Sequence, residues 1–308
     1  AVHGAHHAAE DFNLGAALRQ ALFGNVLGWL WTLPLALFMP VPMFVGIIVF
    51  DYLYQFVQHT RHVPKLGPLE WLFNTPSHHR VHHGTEAHYL DRNYGGIFIV
   101  WDRLFRTFQV EQQEPTYGIT KPLGTLNPVW ANLAFFADLR AAMRRVQRSG
   151  DAWKLWLAGP SDVTRLAPGG PTRPRAPLEN ASIPPVIKRY VLAQFGLCVG
   201  PLLALIWTDP SVVWLRVGLG AVTIAGAVAC GGFLERKPWR ARLEAGRLTL
   251  TAVLLTGAVW LDPAALWPAV AALSAVLFGA ALLGLPLLAA GPADDLTTAK
   301  RPDVRTAE

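Results

Sequence analysis

Residues 77–88 read SHHRVHHGTEAH and place five histidines in twelve positions. All ten histidines of the chain lie at or before residue 88, a distribution that scattered core histidines would not produce. On a helix, His79, His82 and His83 stand at i, i+3 and i+4, so their imidazoles share one face. Neutral imidazole nitrogens are good ligands for zinc, copper, iron and nickel. The stretch therefore predicts part of a metal site.

The same spacing recurs near the start of the chain, where HGAHH supplies His3, His6 and His7. A further pair, His59 and His62, lies between the two triads. The alternative is a set of interfacial helices whose histidines hydrogen-bond to lipid headgroups. Eight imidazoles exceed the four ligands that a structural zinc ion takes, so the pattern favours two ions. An all-nitrogen dinuclear site suits O2 activation, and the HxHxD pattern typical of dinuclear zinc hydrolases is absent from the sequence.

The composition is typical of a polytopic helical membrane protein. Hydrophobic residues make up 52% of the 308 residues and charged residues only 16%, well below the roughly 25% of a soluble domain. Twelve tryptophans suit membrane–water interfaces. The net charge of +6 is better explained by loops that face anionic lipid than by nucleic acid. We therefore predict an all-α membrane bundle that carries a histidine-rich metal-binding cap.

Six apolar runs organise the chain. The runs 21–38 and 44–57 predict a hairpin that returns His59 to the side of Arg19, and thus of the first triad. The other four runs are 186–207, 211–233, 248–261 and 264–288. Basic residues are concentrated in 59–185, in 235–247 and in the C-terminus, which the positive-inside rule places in the cytoplasm. Every histidine group is therefore predicted on the cytoplasmic face.

The predicted organisation has four parts. Residues 1–160 form the histidine-bearing domain, 161–185 a linker rich in Pro, Gly and Arg, 186–290 a four-helix transmembrane region and 291–308 a tail. Residues 135–148 predict an amphipathic helix with a basic end at the headgroup surface. The two cysteines lie in apolar runs and are interpreted as core residues.

Four segments together resemble the fatty acid hydroxylase/sterol desaturase superfamily of integral membrane di-iron enzymes. They are VHGAHHAAEDFNLGAALRQ, QFVQHT, LGPLEWLFNTPSHHRVHHG and DRNYGGIFIVWDRLFRTF. Within the superfamily, the chain is most similar to the alkylglycerol monooxygenase-like branch. The resemblance covers roughly residues 1–160 and is weaker in the later helices. Arg106 stands where the family usually has Gly, which puts the local turn in doubt.

The resemblance implies O2-dependent oxidation of an unactivated C–H bond in a lipid by two iron ions, with an external electron donor. It matches His3, His6 and His7 to the family's middle HxxHH motif and His79, His82 and His83 to its last. His59 matches an isolated histidine before the last motif, and His62 is a less certain match. His78, Asn93 and Asp102 become candidates to orient ligand imidazoles. For His78 the alternative is a headgroup contact, and for Asp102 an ion pair with a neighbouring arginine. His88 is interpreted as a surface residue.

For the alkylglycerol branch, the resemblance implies hydroxylation of the ether-linked carbon with tetrahydrobiopterin as electron donor. The family also has an earlier pair of histidines, of the kind HRxxH, before the first triad. We therefore expect that the native protein continues upstream of Ala1, and that the activity of the chain as given is in doubt. Two alternatives stay open: a sterol or fatty-acyl hydroxylase or desaturase on the same scaffold, and a non-catalytic metal-binding membrane protein.

Overall fold

A computed structural model describes residues 3–146, 149–156, 166–167 and 183–261 of the chain. In these ranges the secondary structure is helical, with two isolated β-bridges and no strand, so the all-α prediction is confirmed. The chain divides into two units, one formed by Ala1–Gly124 and Trp130–Leu178 and the other by Thr125–Val129 and Glu179–Glu308.

Ten α-helices are described. They are α1 Gly4–His7, α2 Leu14–Ala17, α3 Leu22–Ala36, α4 Val41–Gln58, α5 Pro76–His82, α6 Val100–Phe105, α7 Pro128–Met143, α8 Pro185–Trp207, α9 Val213–Leu234 and α10 Arg240–Leu261. Two 3-10 helices, Gly67–Trp71 and Ser149–Trp156, complete the described elements.

Three helices are long and apolar enough to cross a membrane: α4, the Pro185–Leu203 part of α8, and α9. The 18 residues of α4 span ~27 Å, close to the ~30 Å of a hydrocarbon core. Almost none of α4 is buried, so its apolar side chains face outward. Helix α3 has 15 residues, contains Pro34 in its last turn and ends at Ala36. It is therefore shorter than the predicted run 21–38. The predicted run 264–288, the tail and most of the linker lie outside the described residues.

A small core positions the first triad. Its buried residues are Ala5, Ala8, Ala21, Leu123, Ala131 and Ala134, which join α1 to α7. The backbone N–H of Leu22 also donates to Asn132 Oδ1 at 2.8 Å. Helix α7 begins at Pro128 and not at 135 as predicted, because Asn127 accepts from the N–H of Val129 at 2.9 Å and Pro128 suits the first helical turn.

In its described residues, the second unit packs α8, α9 and α10 together. Leu215, Leu219, Val222 and Leu254 form its apolar core. Gly226 of α9 allows close approach, since a Cβ there would clash with the sulfur of Cys198. Cys198 and Cys230 are both buried and free, as the sequence suggested. Buried Glu244 accepts from Tyr190 and Arg247, so this unit has a charged pair in its interior.

Candidate metal centre

Both triads lie on short helices, as their spacing predicted. Helix α1 carries His6 and His7, and His3 is its N-cap. Helix α5 begins at Pro76, a residue that suits the first helical turn, and His83 is its C-cap. His79, His82 and His83 therefore lie on about one turn of this helix. Gly84 follows, and its lack of a side chain lets the ring of Tyr89 pack against the backbone, since a Cβ there would lie 2.8 Å from that ring.

The structure brings seven of the eight predicted ligands together in two groups. His6, His59, His79 and His83 are buried, and one nitrogen from each lies within 4.8 Å of the others. His3, His7 and His82 form the second group by the same distance, at the more exposed edge. The groups adjoin, since the rings of His7 and His83 stack at 4.2 Å and those of His3 and His6 lie 4.7 Å apart. The arrangement can hold two neighbouring ions.

Backbone carbonyls orient three of these imidazoles. His6 Nδ1 lies 3.2 Å from the carbonyl oxygen of Arg19, and His59 Nδ1 lies 2.8 Å from that of Gln55. His82 Nδ1 is 3.1 Å from the carbonyl oxygen of Arg92. A carbonyl only accepts, so each Nδ1 carries the proton and each Nε2 is left with a lone pair. This is the partnership that metal-binding histidines usually make.

The freed nitrogens face one another. His59 Nε2 lies 3.1 Å from His6 Nε2 and 3.2 Å from His79 Nε2. Lone pairs of His6 and His59 repel at this distance unless a cation lies between them. Metal–nitrogen bonds of ~2.1 Å at right angles separate two nitrogens by ~3.0 Å, which agrees with these spacings. His83 Nε2 is also buried without a hydrogen-bond partner among the described residues. The residues present therefore fit a metal ion.

The environment keeps the imidazoles neutral. Burial, reinforced by the neighbouring imidazoles, lowers the pKa of His3 to about 4 and that of His6 to about 3. Burial likewise lowers the pKa of His7, His59 and His82, and it places those of His79 and His83 well below the usual value. Neutral imidazoles are the form that binds metal, so the cluster needs no proton loss near pH 7 to accept an ion.

Arg80 fixes the distance between α5 and the segment after His59. Its guanidinium is buried and forms a bidentate pair with Glu111, with both N–O distances 2.6 Å. The remaining nitrogen, Nη1, donates to the carbonyl oxygens of Thr60 and Val63 at 2.9 and 3.0 Å. Because Thr60 follows His59 directly and Arg80 follows His79, this clamp holds two histidines of the buried group in register.

The three residues predicted to orient imidazoles have other contacts. Asn93 donates to the carbonyl oxygens of His78 and Gln109 at 3.1 and 2.8 Å, so it ties α5 to the loop after α6. The His78 ring is buried, with Nε2 3.8 Å from a carboxylate oxygen of Glu70, which replaces the headgroup contact considered for it.

Asp102 also acts on the backbone. Its oxygens accept from the N–H groups of Tyr94 and Gly95, each at 2.7 Å, and from Thr107 Oγ1 at 2.6 Å. Among the described contacts it makes neither the predicted bond to an imidazole nor the alternative ion pair with an arginine. Three donors satisfy the carboxylate and fold the loop over α5, whose His82 then reaches the carbonyl of Arg92.

Three histidines stay outside both groups: buried His78, described above, and the exposed His62 and His88. His62 is exposed in the turn after α4, where its backbone N–H bonds to Thr60 Oγ1 at 3.1 Å. His88 is exposed, as predicted. The sequence did not predict two residues that support the site. One is Arg80, and the other is Phe12, whose buried ring stacks on that of His59 with 5.3 Å between the ring centres. A charged residue in the middle of a buried HHRVHH run was a signal for Arg80; Phe12 gave none.

A cavity of about 650 Å³ opens beside the cluster. Its histidine wall consists of His3, His6 and His59. The remaining lining is mostly apolar and comes from α2, α3 and α4: Ala17, Leu18, Ala21, Gly24, Leu53 and Phe56, with Gln20, Tyr52 and Gln55 as the polar residues. The cavity thus places apolar surface directly against both histidine groups.

Comparison with known proteins agrees with this geometry. Residues 1–107 match the fatty acid hydroxylase family. This part of the chain is similar to a fatty acid hydroxylase domain. It contains both histidine triads and His59, and the resemblance expected from the sequence is confirmed.

Relatives that match over a longer range are alkylglycerol monooxygenases. That of Xenopus tropicalis is 33% identical over 265 residues, which are 80% of this chain and 57% of the relative. That of Danio rerio is 34% identical over 266 residues, which are 82% of this chain and 58% of the relative. That of Homo sapiens is 35% identical over 214 residues, which are 63% of this chain and 45% of the relative. The chain thus spans about half the length of these relatives. No solved structure matches it significantly.

Proposed function

We propose that this protein is a membrane lipid hydroxylase that inserts one atom of O2 into a C–H bond of a lipid. The other oxygen atom leaves as water, with two electrons from an external donor and two protons from the donor or the solvent. The observation that carries the proposal is the convergence of seven imidazoles within a region similar to a fatty acid hydroxylase domain. The apolar cavity beside His3, His6 and His59 supports a lipid substrate.

We infer two iron sites. His6, His59, His79 and His83 would hold one ion, and His3, His7 and His82 would hold the other. Bound iron supplies the activation of O2, a reaction for which side chains alone have no suitable group. The all-imidazole donor set is compatible with iron, although imidazole also suits zinc, copper and nickel. His62 has no place in either group, so it is not part of this proposal.

The residues of the chain would orient the histidines and the lipid. The carbonyl oxygens of Arg19, Gln55 and Arg92 hold three Nδ1–H groups and so aim each Nε2 into the cluster. Leu53 and Phe56 of α4 line the cavity and give it an apolar side next to the histidine wall. An apolar chain that lies along them brings a methylene group next to the cluster, which is the positioning that C–H oxidation requires.

We propose an alkylglycerol as the substrate, since relatives that match over more than 200 residues are alkylglycerol monooxygenases. Hydroxylation of the ether-linked carbon gives a hemiacetal, which collapses to an aldehyde and a free glycerol hydroxyl. Tetrahydrobiopterin is proposed as the electron donor on the family resemblance alone, and we assign no residue to its binding.

We also propose that the metal centre lies on the cytoplasmic side of the membrane. The polar segment that follows α4 contains both α5 and many of the basic residues of the chain, among them Arg61, Lys65, Arg80, Arg92, Arg103 and Arg106. Basic loops are retained in the cytoplasm. Labelling of a cysteine introduced at exposed His88 tests the side: a membrane-impermeant reagent must reach it only in inside-out vesicles.

The activity test uses the full-length protein in membranes, supplied with O2 and tetrahydrobiopterin. We expect cleavage of an alkylglycerol to an aldehyde. The His82→Ala variant should be inactive, whereas His88→Ala, a matched histidine outside both groups, should resemble the wild type. Full activity of His82→Ala would remove the histidine cluster from the reaction.

The second candidate is a sterol or fatty-acyl hydroxylase or desaturase, which the matching family description favours. Lipid profiles of cells with and without the gene separate the candidates. Altered acyl chains or sterols with unchanged ether lipids would select this one. Changed ether lipids alone would select the alkylglycerol reaction.

A further inference from the structure

Two short elements near α5 expose a continuous set of large apolar side chains. They are the 3-10 helix Gly67–Trp71 and α6, Val100–Phe105. The exposed residues of this aromatic face are Leu69, Trp71, Leu72, Phe98, Trp101, Leu104 and Phe105. Trp71 and Phe105 are 71% and 70% exposed. Such a patch on a protein surface requires a covering phase or partner.

The face is one rigid surface, because backbone hydrogen bonds join its two elements. The N–H of Ile99 donates to the carbonyl oxygen of Leu72 at 3.0 Å, and that of Asn74 donates to Ile97 at 2.7 Å. Phe73 and Phe98 form a β-bridge, and their rings stack at 5.6 Å.

The nearby charge of Arg103 lies against ring faces, one of which belongs to Trp71 of the aromatic face. Its guanidinium lies 3.8 Å from the ring centre of Phe108 and 4.9 Å from that of Trp71. One nitrogen of the guanidinium donates to the carbonyl oxygen of Glu70 at 3.1 Å. The positive charge is therefore held by two ring faces and a backbone acceptor.

Contacts with α4 set the depth of this face. Tyr54 of α4 donates to the carbonyl oxygen of Asn74 at 2.7 Å, and Gln58 donates to that of Gly96 at 3.1 Å. A Cβ at Gly96 would lie 3.0 Å from Asp51 Oδ1. The segments next to the face thus run beside the last two turns of α4. At ~1.5 Å per residue, Asp51 lies ~10 Å before the end of that candidate membrane span.

We propose that the aromatic face is embedded in the interfacial region of the phospholipid bilayer, beside the end of α4. Its exposed apolar surface continues the outward surface of α4. Tryptophan is typical of the membrane–water boundary, and phenylalanine and leucine are typical of the apolar faces that lie in it. The proposal rests on α4 crossing the membrane, not on the oxidation reaction. Because α5 begins two residues after Asn74, the embedded face fixes the height of His79, His82 and His83 above the hydrocarbon.

The first test uses the full-length wild-type protein in phosphatidylcholine vesicles that contain a photoactivatable phospholipid. We expect lipid adducts in the peptides that contain residues 69–72 and 98–105. Residues 111–114, which form a polar stretch with exposed Glu114, serve as the internal control and should carry none. Adducts confined to α4, α8 and α9 would overturn the proposal. Because no residue is changed, this result does not depend on the folding of a variant.

The second test measures depth. Cys198 and Cys230 are replaced by alanine, and Leu104→Cys or Phe105→Cys is labelled with a polarity-sensitive fluorophore. We expect blue-shifted emission that nitroxide lipids quench and aqueous iodide does not; a Glu114→Cys label should show the reverse. Quenching of the face by iodide would place it in water. Protection from both quenchers would show that protein covers it, and either result contradicts embedding in lipid.

Discussion

His59 Nε2 lies 3.1 Å from His6 Nε2, although the two residues are 53 positions apart in the chain. In each ring the Nδ1–H donates to a backbone carbonyl oxygen, that of Gln55 for His59 and that of Arg19 for His6. The hairpin of α3 and α4 lies between the two residues in sequence, and it brings the end of α4 back to α1. Two lone pairs in this position are stable only when a cation is shared, so the fold and the metal are coupled.

That coupling predicts a metal-dependent stability. Removal of metal by a strong chelator should lower the melting temperature of the detergent-purified protein, and Fe²⁺ should restore it. At a free metal concentration 100 times the dissociation constant, the gain is about 2.7 kcal/mol. Mg²⁺, which prefers oxygen ligands, should have no effect. Equal melting temperatures with and without a chelator would mean that the cluster does not need a cation.

The Arg80 clamp predicts a loss of both stability and metal. Arg80→Met leaves the Glu111 carboxylate, only 12% exposed, without its partner and should cost about 3–5 kcal/mol of unfolding free energy. Metal content per chain should fall as well, because His59 and His79 lose their common restraint.

Arg80→Met/Glu111→Gln is the matched control for this experiment, because it removes the unpaired charge. It should recover stability but not metal content. Recovery of both would show that Arg80 affects metal binding only through general stability.

The backbone at Arg106 predicts a stabilising substitution. Arg106 closes α6 with φ 62° and ψ 28°, a left-handed conformation that glycine adopts at lower cost. Arg106→Gly should raise the unfolding free energy by about 0.5–1 kcal/mol. Ala137→Gly, at an exposed position in the interior of α7, should lower it by about 1 kcal/mol. Chemical denaturation of both variants checks the opposite signs, and a loss of stability in Arg106→Gly would contradict the conformational argument.

The cavity predicts a selective loss of turnover. Gly24→Phe places a ring in the space beside the histidine wall and should reduce substrate oxidation at least tenfold while metal content stays unchanged. Gly28→Phe lies one turn further along α3, with no neighbouring atom within 4 Å of its Cβ position, and should retain activity. Equal activity of the two variants would mean that the substrate does not occupy this cavity.

Much of the centre follows from local spacing. The i, i+3, i+4 pattern gave the shared faces of α1 and α5, and the length of two apolar runs gave the hairpin that brings His59 to the first triad. Other parts depend on contacts that leave no mark in sequence. The partners of His6, His59 and His82 are backbone carbonyls, and any residue type could have provided them.

The polar residues of the loop show the same limit. Asn93 and Asp102 are polar residues near a metal motif, which made them candidates to contact imidazoles. The chain instead uses them to satisfy backbone groups of Gln109, Tyr94 and Gly95, because a loop that folds over a buried helix has donors and acceptors to pair. His62 follows His59 by three residues, but α4 ends at Gln58, so helical spacing no longer applies to it.

The most direct test of the account is X-ray absorption at the iron edge, with elemental analysis, on the purified full-length protein. We expect about two irons per chain with nitrogen neighbours at ~2.1 Å, and a clear loss of iron in His59→Ala but not in His88→Ala. Protein that is fully folded and active without metal, or iron bound without imidazole nitrogen, would contradict the shared-cation centre.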